Sequence, residues 1–204
     1  MALVFDLGAV VFRWRPEVLL SQVLPHRAPT PAEAGPLVAA FFEEYSGDWG
    51  EFDRGGIGVP ELVRRMGMRT EFTPSEVQAV IDAVPDELQP LPGTVALIER
   101  LGAAGHVLHY LSNMPQPFAA HLESAYPMHR WFRDGVFSSR VGVIKPDPAI
   151  FALAQQRLGL APAATLFIDD SQRNVAAARA AGWQALHFTE ASALEADLRA
   201  GGWL

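Results

Sequence analysis

The 204-residue chain has no cysteine. That excludes disulfides, thiol nucleophiles and thiolate metal sites, and it suits a reducing compartment. Basic charge is also scarce: 23 acidic residues against 16 basic ones leave a net charge of −7, a balance that disfavours nucleic acid and anionic membrane surfaces as partners. No apolar run approaches membrane-spanning length, and no basic segment precedes the first one, which Asp6 interrupts, so neither a spanning helix nor a signal peptide is expected. These absences describe a soluble, cytoplasmic protein. Two further scarcities are more pointed. Fifteen of the sixteen basic residues are arginine, leaving Lys145 as the single lysine, and the only asparagines are Asn113 and Asn174. Lysine is a compact point charge and arginine a planar fork, so a site that needs the former cannot take the latter.

Half of the residues are hydrophobic, enough for one good core and a smaller satellite unit. From about residue 92 onward helical and strand patterns alternate. "PGTVALIERLGAAG" reads as a helix between proline and glycine, "HVLHYLSN" as a strand, "PQPFAAHLESAY" as a helix and "DGVFSS" as a short strand. "PAIFALAQQRLG", "QRNVAAARAAG" and "ASALEADLRA" read as helices around the strands "ATLFIDD" and "WQALHF". Residues 2–6 supply one more buried strand. The pattern predicts an α/β fold with a Rossmann-like parallel sheet and helices on both faces. Between Pro16 and Glu87 the patterns are helical only ("PEVLLSQVL", "AGPLVAAFFEEYS", "PELVRRMG", "PSEVQAVIDAV"). The expected organisation is therefore a core of residues 1–15 and 88–204 with an inserted helical cap, 16–87.

Ligands of open parallel sheets bind beyond the carboxyl ends of the strands. Asp6 follows "ALVF", Ser112 and Asn113 follow "HVLHYL", Asp169 and Asp170 follow "TLFI", and Lys145 stands in "GVIKPDP" before a helix. Clustered carboxylates suit Mg²⁺, which keeps water and phosphate oxygens as its remaining ligands, and one such carboxylate can attack phosphorus. Each residue alone has an ordinary reading: Asp169 and Asp170 could simply cap the following helix, and Lys145 could be a solvated surface charge. The histidines offer no metal site, since His106 and His109 fall on opposite faces of a strand.

In this order, "FDLGAVVF", "LSN", "KPDPAIF" and "FIDDSQRNVAAARAAG" resemble the four motifs of the haloacid dehalogenase superfamily of hydrolases, and "LPGTVALIERLGAAGH" resembles its return from an inserted cap. The resemblance implies Asp6 as nucleophile and Mg²⁺ ligand, Ser112 and Asn113 as phosphate-binding residues, Lys145 as the cation offsetting nucleophile and phosphoryl charge, and Asp169 and Asp170 as metal ligands, Asp169 ranked first. Asn174 would shape that loop. Gly8 departs from the pattern: phosphatases of the superfamily mostly carry a second Asp there, whose carbonyl binds Mg²⁺ and whose side chain relays the proton. Glycine keeps the carbonyl and loses the relay, a loss of about 10²–10⁴-fold. "FDLG" also resembles a bacterial branch acting on sugar phosphates such as glucose 1-phosphate.

The implied function is a Mg²⁺-dependent phosphatase of small phosphorylated metabolites. The alternatives are a dehalogenase, which would have no use for the "DD" pair, and a catalytically weak regulatory protein that binds a phosphorylated ligand. Arg13, Arg15 and Arg54 are candidates for substrate contacts, Trp49 and Phe52 for pocket walls, and Glu51 and Asp53 for a replacement acid. Without such an acid, substrates with acidic leaving groups (anomeric, acyl or aryl phosphates) would react fastest.

Overall fold

The computed structural model describes residues 2–204. Strand β1 (Ala2–Phe5) leads into the helical stretch α1 (Pro16–Val23), α2 (Gly35–Phe42), α3 (Gly47–Asp53), α4 (Val59–Arg69) and α5 (Pro74–Glu87). The chain then alternates: α6 (Pro92–Ala103), β2 (Val107–Ser112), α7 (Gln116–Ala125), α8 (Met128–Trp131), β3 (Asp134–Phe137) and α9 (Pro148–Leu158). It finishes with β4 (Thr165–Asp169), α10 (Gln172–Ala180), β5 (Gln184–His187) and α11 (Ala191–Ala200). The five strands pair in parallel in the order β3-β2-β1-β4-β5, the α/β class that alternation of strands and helices predicts.

Strand periodicity divides the core. Leu3, Phe5, Leu166 and Ile168 face one way and pack with Leu97, Ile98 and Leu101 of α6 and Leu194 and Leu198 of α11. Val4, Leu111 and Phe167 face the other way, against Ile150 and Phe151 of α9 and Val175 and Ala178 of α10. The unbroken apolar runs Ala2–Phe5 of β1 and Leu166–Ile168 of β4 follow from this two-sided cover. The first cluster continues without a break into the helical stretch through Phe41, Phe42, Trp49 and Phe52.

Residues 16–87 contain helices and no strand, and the chain leaves and re-enters the sheet region at one place. There Arg13 N–H donates to Gln89 O and Leu91 N–H to Val11 O, both at 2.8 Å. Helix α5 begins with a capping box, Thr73 and Glu76 each bonding the other's backbone. It runs on through Pro85, three residues past the end that the sequence pattern suggests, and Leu88 N–H closes its last turn on Val84 O at 3.1 Å. Helix α2 stops earlier than its apolar pattern, because Glu43, Glu44 and Tyr45 take left-handed φ values of 48°, 52° and 60°. Helices α3 and α8 were not foreseen; both are short.

Candidate active site

Register sets the site. Phe5 lies level with Tyr110 on one side and Ile168 on the other, so the next residues of β1 and β4, Asp6 and Asp169, emerge side by side at the carboxyl edge. Asp6 Oδ1 accepts from Leu7 N–H at 2.6 Å and lies 2.9 Å from Lys145 Nζ. Lys145 Nζ also donates to Asp169 Oδ2 at 2.7 Å. The lysine is held from outside the sheet: Asn113 Nδ2 donates to Lys145 O at 2.9 Å, and Lys145 N–H donates to Asn113 Oδ1 at 2.8 Å. Both asparagines therefore serve the lone lysine's neighbourhood, since Asn174 Nδ2 donates to Asp169 Oδ1 at 2.9 Å. One carboxylate oxygen each from Asp6, Asp169 and Asp170 lies within 4.8 Å of the others.

Burial pushes the Asp6 carboxyl up to about 7, opposed by Lys145 and assisted by the charges of Asp169 and Asp170. Burial works against the Lys145 ammonium too, but Asp169 and Asp6 outweigh it and raise its pKa. Three carboxylates facing one ammonium leave an excess of negative charge, and hard oxygen donors in that number fit a small divalent cation such as Mg²⁺.

The site opens into a cavity of about 740 Å³ lined by Asp6, Gly8, Ser112, Asn113, Lys145 and Asp170, with a further wall that includes Trp14, Tyr45, Trp49, Val84 and Phe118. The turn below it is built on Leu7 O, which accepts from Val11 and Phe12 N–H at 2.8 Å. Within that turn it is Ala9, not Gly8, that takes a left-handed φ, 57°. A Cβ added at Gly8 would meet no atom within 4 Å. Neither backbone nor packing demands glycine there.

Four of the other candidates lie elsewhere. Arg13 and Arg15 bind buried Glu87, at 3.2 and 2.9 Å, rather than facing the cavity. Phe52 is core, and Glu51 pairs with Arg54 at 2.7 Å away from the cavity wall. Arg54 and Trp49 do reach the wall, and so does Asp53, which is 3 % exposed. Asp169, ranked first as metal ligand, has both oxygens engaged by Lys145, Asn174 and the Ser171 N–H, whereas Asp170 is exposed. The helix cap is Ser171 rather than either aspartate. Trp14 and Tyr45, joined by a 2.8 Å hydrogen bond from indole to phenol, were missed because nothing local marks either as lining.

Among known proteins, residues 15–182 match the family model of haloacid dehalogenase-like hydrolases. The sesquiterpene phosphatase astK of Aspergillus oryzae is 28% identical over 200 residues, covering 97% of this chain and 94% of that protein. Phosphoglycolate phosphatase 1 of Pseudomonas aeruginosa is 30% identical over 138 residues, 62% of this chain and 51% of its own length. Among solved structures, a HAD family enzyme of Bacteroides thetaiotaomicron in complex with magnesium and inorganic phosphate superposes with a TM-score of 0.71 at 20% identity, covering 92% of this chain and 93% of that one. The L-2-haloacid dehalogenase of Xanthobacter autotrophicus gives 0.68 at 19% identity, covering 100% and 84%. With its sheet order, its carboxyl-edge cluster and a family match over most of its length, this chain belongs to the haloacid dehalogenase-like hydrolases.

Proposed function

We propose that this hydrolase is a Mg²⁺-dependent phosphatase of small phosphorylated metabolites, with Asp6 as nucleophile and residues 16–87 as a cap over the site. The observation that carries the reading is the convergence of Asp6, Lys145 and an acidic trio on one cavity. A lone carboxylate nucleophile would need no such trio, which weighs against dehalogenation. The phosphatase names of the relatives support the same choice.

In this reading Asp6 is oriented for attack by the Leu7 N–H and Lys145, both on Oδ1, which leaves Oδ2 without a donor among the described residues. Lys145 offsets charge on the nucleophile and the transferring phosphoryl group. Ser112, at the end of β2, lines the cavity, where its hydroxyl would meet the phosphoryl oxygens. The Asn113 carboxamide is spent on the Lys145 backbone, so that residue offers an anion its backbone N–H. Mg²⁺ would be held by Asp6, Asp170 and the Gly8 carbonyl, with Asp169 steering Lys145 and Asn174 beside it, and its charge would neutralise the phosphoryl oxygens. The wall of Trp14, Tyr45, Trp49, Val84 and Phe118 suits a substrate whose organic part presents an apolar face. Sugar 1-phosphates stacking on aromatics and terpenoid alcohol phosphates both do so.

The test is release of inorganic phosphate from a panel of both substrate types, with and without chelator. Turnover that needs Mg²⁺ and vanishes in Asp6→Asn is expected. Activity unchanged in excess chelator, or retained by Asp6→Asn, overturns the reading.

A further inference from the structure

Gly8 leaves the reaction without the side chain that would protonate the departing oxygen, and the molecule has a second carboxylic acid in the same cavity. Asp53, the last residue of α3, is 3 % exposed and lines the cavity with Asp6 and Lys145. Among the described residues no donor hydrogen-bonds its carboxylate; the only bond it accepts is on its backbone carbonyl. A carboxylate so buried and unpartnered is costly unless it keeps a proton or meets a ligand. The remaining carboxylates of the wall are differently placed. Asp147 caps α9 through Ala149 N–H at 2.9 Å, and Glu44 is exposed.

Asp53 is also pinned to the sheet rather than carried loosely by the helices around it. Ser138, just past β3 and fully buried, donates from Oγ to Asp53 O at 2.6 Å and accepts from Met114 N–H at 2.9 Å. Two residues on, Gly55 has φ +76° and presses on Ser139, whose carbonyl oxygen an added Cβ would strike. The stretch "FDRGG" thus docks its aspartate beside the loop that follows β2, the loop that carries Asn113 and Met114.

We propose that Asp53 is the general acid, and then the general base, of the hydrolysis, replacing the side chain absent at Gly8. This rests on the phosphatase reading. In the first half-reaction an Asp6 oxygen bonds to phosphorus, the phosphorus–ester oxygen bond breaks, and the Asp53 proton passes to that oxygen, releasing the alcohol. In the second, the Asp53 carboxylate takes a proton from water as the water oxygen attacks phosphorus, the bond to Asp6 breaks, and inorganic phosphate leaves. The sum is ester plus water to alcohol plus phosphate. The required protonation state is consistent with the surroundings. Burial holds the Asp53 carboxyl well above the usual carboxylate range, Lys145 and Arg54 oppose, and Asp6 adds. The Tyr45 phenol also feels the Asp53 charge, and it is pushed up to about 12, by burial of the phenol first although the residue as a whole is partly exposed.

The experiment is a series of aryl and alkyl phosphates of graded leaving-group acidity, followed in single turnovers with Mg²⁺ present, for wild type and Asp53→Asn. Wild type is expected to show a shallow dependence on acidity. Asp53→Asn is expected to slow alkyl phosphates by about 10²–10⁴-fold. With 4-nitrophenyl phosphate the variant releases nitrophenol in a burst, within about tenfold of the wild-type rate, and then stalls at the phosphoenzyme. The alkaline limb of the alkyl-phosphate pH profile is expected in wild type and absent from the variant. A steep dependence in wild type overturns the proposal whether or not the variant folds, and so does a variant that melts like wild type and slows every substrate equally. Absence of wild-type turnover on every ester sinks the phosphatase reading and this proposal with it.

Discussion

Replacing Lys145 by methionine removes the one cation that two buried carboxylates share. Its Nζ lies 2.7 Å from Asp169 and 2.9 Å from Asp6, with side chains 1%, 0% and 11% exposed, so little solvent screening applies. Methionine preserves the stem that packs near Phe167, whose ring centroid is 5.4 Å from Nζ. Breaking a buried pair from one side costs about 3–5 kcal/mol. The cost must vary with pH, because an orphaned carboxyl can escape by taking a proton. Holding that proton costs about 1.4 kcal/mol for each pH unit above an ordinary value near 3.9. At about pH 5 this is about 1.5 kcal/mol, and only one carboxyl incurs it because Asp6, raised to about 7, already holds its proton; at about pH 8 it exceeds about 5 and the bare ion becomes the lower state. Urea unfolding in chelator should therefore show Lys145→Met destabilised by about 3–5 kcal/mol at about pH 8 and by about 2 at about pH 5. A loss equal at both pH values, or below about 1 kcal/mol at about pH 8, would refute the shared-cation account.

The raised Asp6 carboxyl makes a wild-type prediction of definite sign. The folded state holds a proton that the unfolded chain releases near 3.9, so metal-free stability should fall as pH rises from about 4 to 7, by about 2–4 kcal/mol, and Mg²⁺ should restore it; a flat thermal-melt profile over that range contradicts this. Glu76 works the other way: hydrogen bonds from Arg27, at 2.6 and 2.9 Å, hold its carboxyl well below the ordinary value despite partial burial. Glu76→Gln should lower stability by about 1–2 kcal/mol near neutrality, a difference that shrinks progressively as pH drops below about 4 toward the lowered folded value, read by urea unfolding. Gly8→Asp should fold normally, since its Cβ meets open space, and in an Asp53→Asn background it should restore alkyl-phosphate turnover; unaltered kinetics in a well-folded double variant would show that position 8 cannot deliver a proton in this chain.

What could be read from the sequence was whatever the sheet register determines. Strands are marked by continuous apolar runs, their carboxyl ends by the first polar residue, and neighbouring ends meet at one edge, so Asp6, Ser112 and Asp169 were placed together without knowing a single distance. Lys145 stood out through its rarity, and the structure sets its ammonium between two carboxylates. Asp169 is the last residue of β4 and turns into the sheet edge toward Lys145, so Asp170, one position on, is left exposed toward the cavity. The residues that could not be read are those placed by docking of the helical stretch against the sheet. Arg13 and Arg15 look like free cations until Glu87, more than seventy residues away, is folded against them. The sequence offers both Glu51 and Asp53 as acids, and only docking separates them: Ser138, 85 residues on from Asp53, takes its carbonyl, and of the two Asp53 lines the cavity. No periodicity encodes such a contact, because it depends on where two separately patterned surfaces meet. The same fact explains why a glycine at position 8 can be tolerated: the acid it lacks need not come from the strand that carries the nucleophile, provided that the docked stretch brings one of its own.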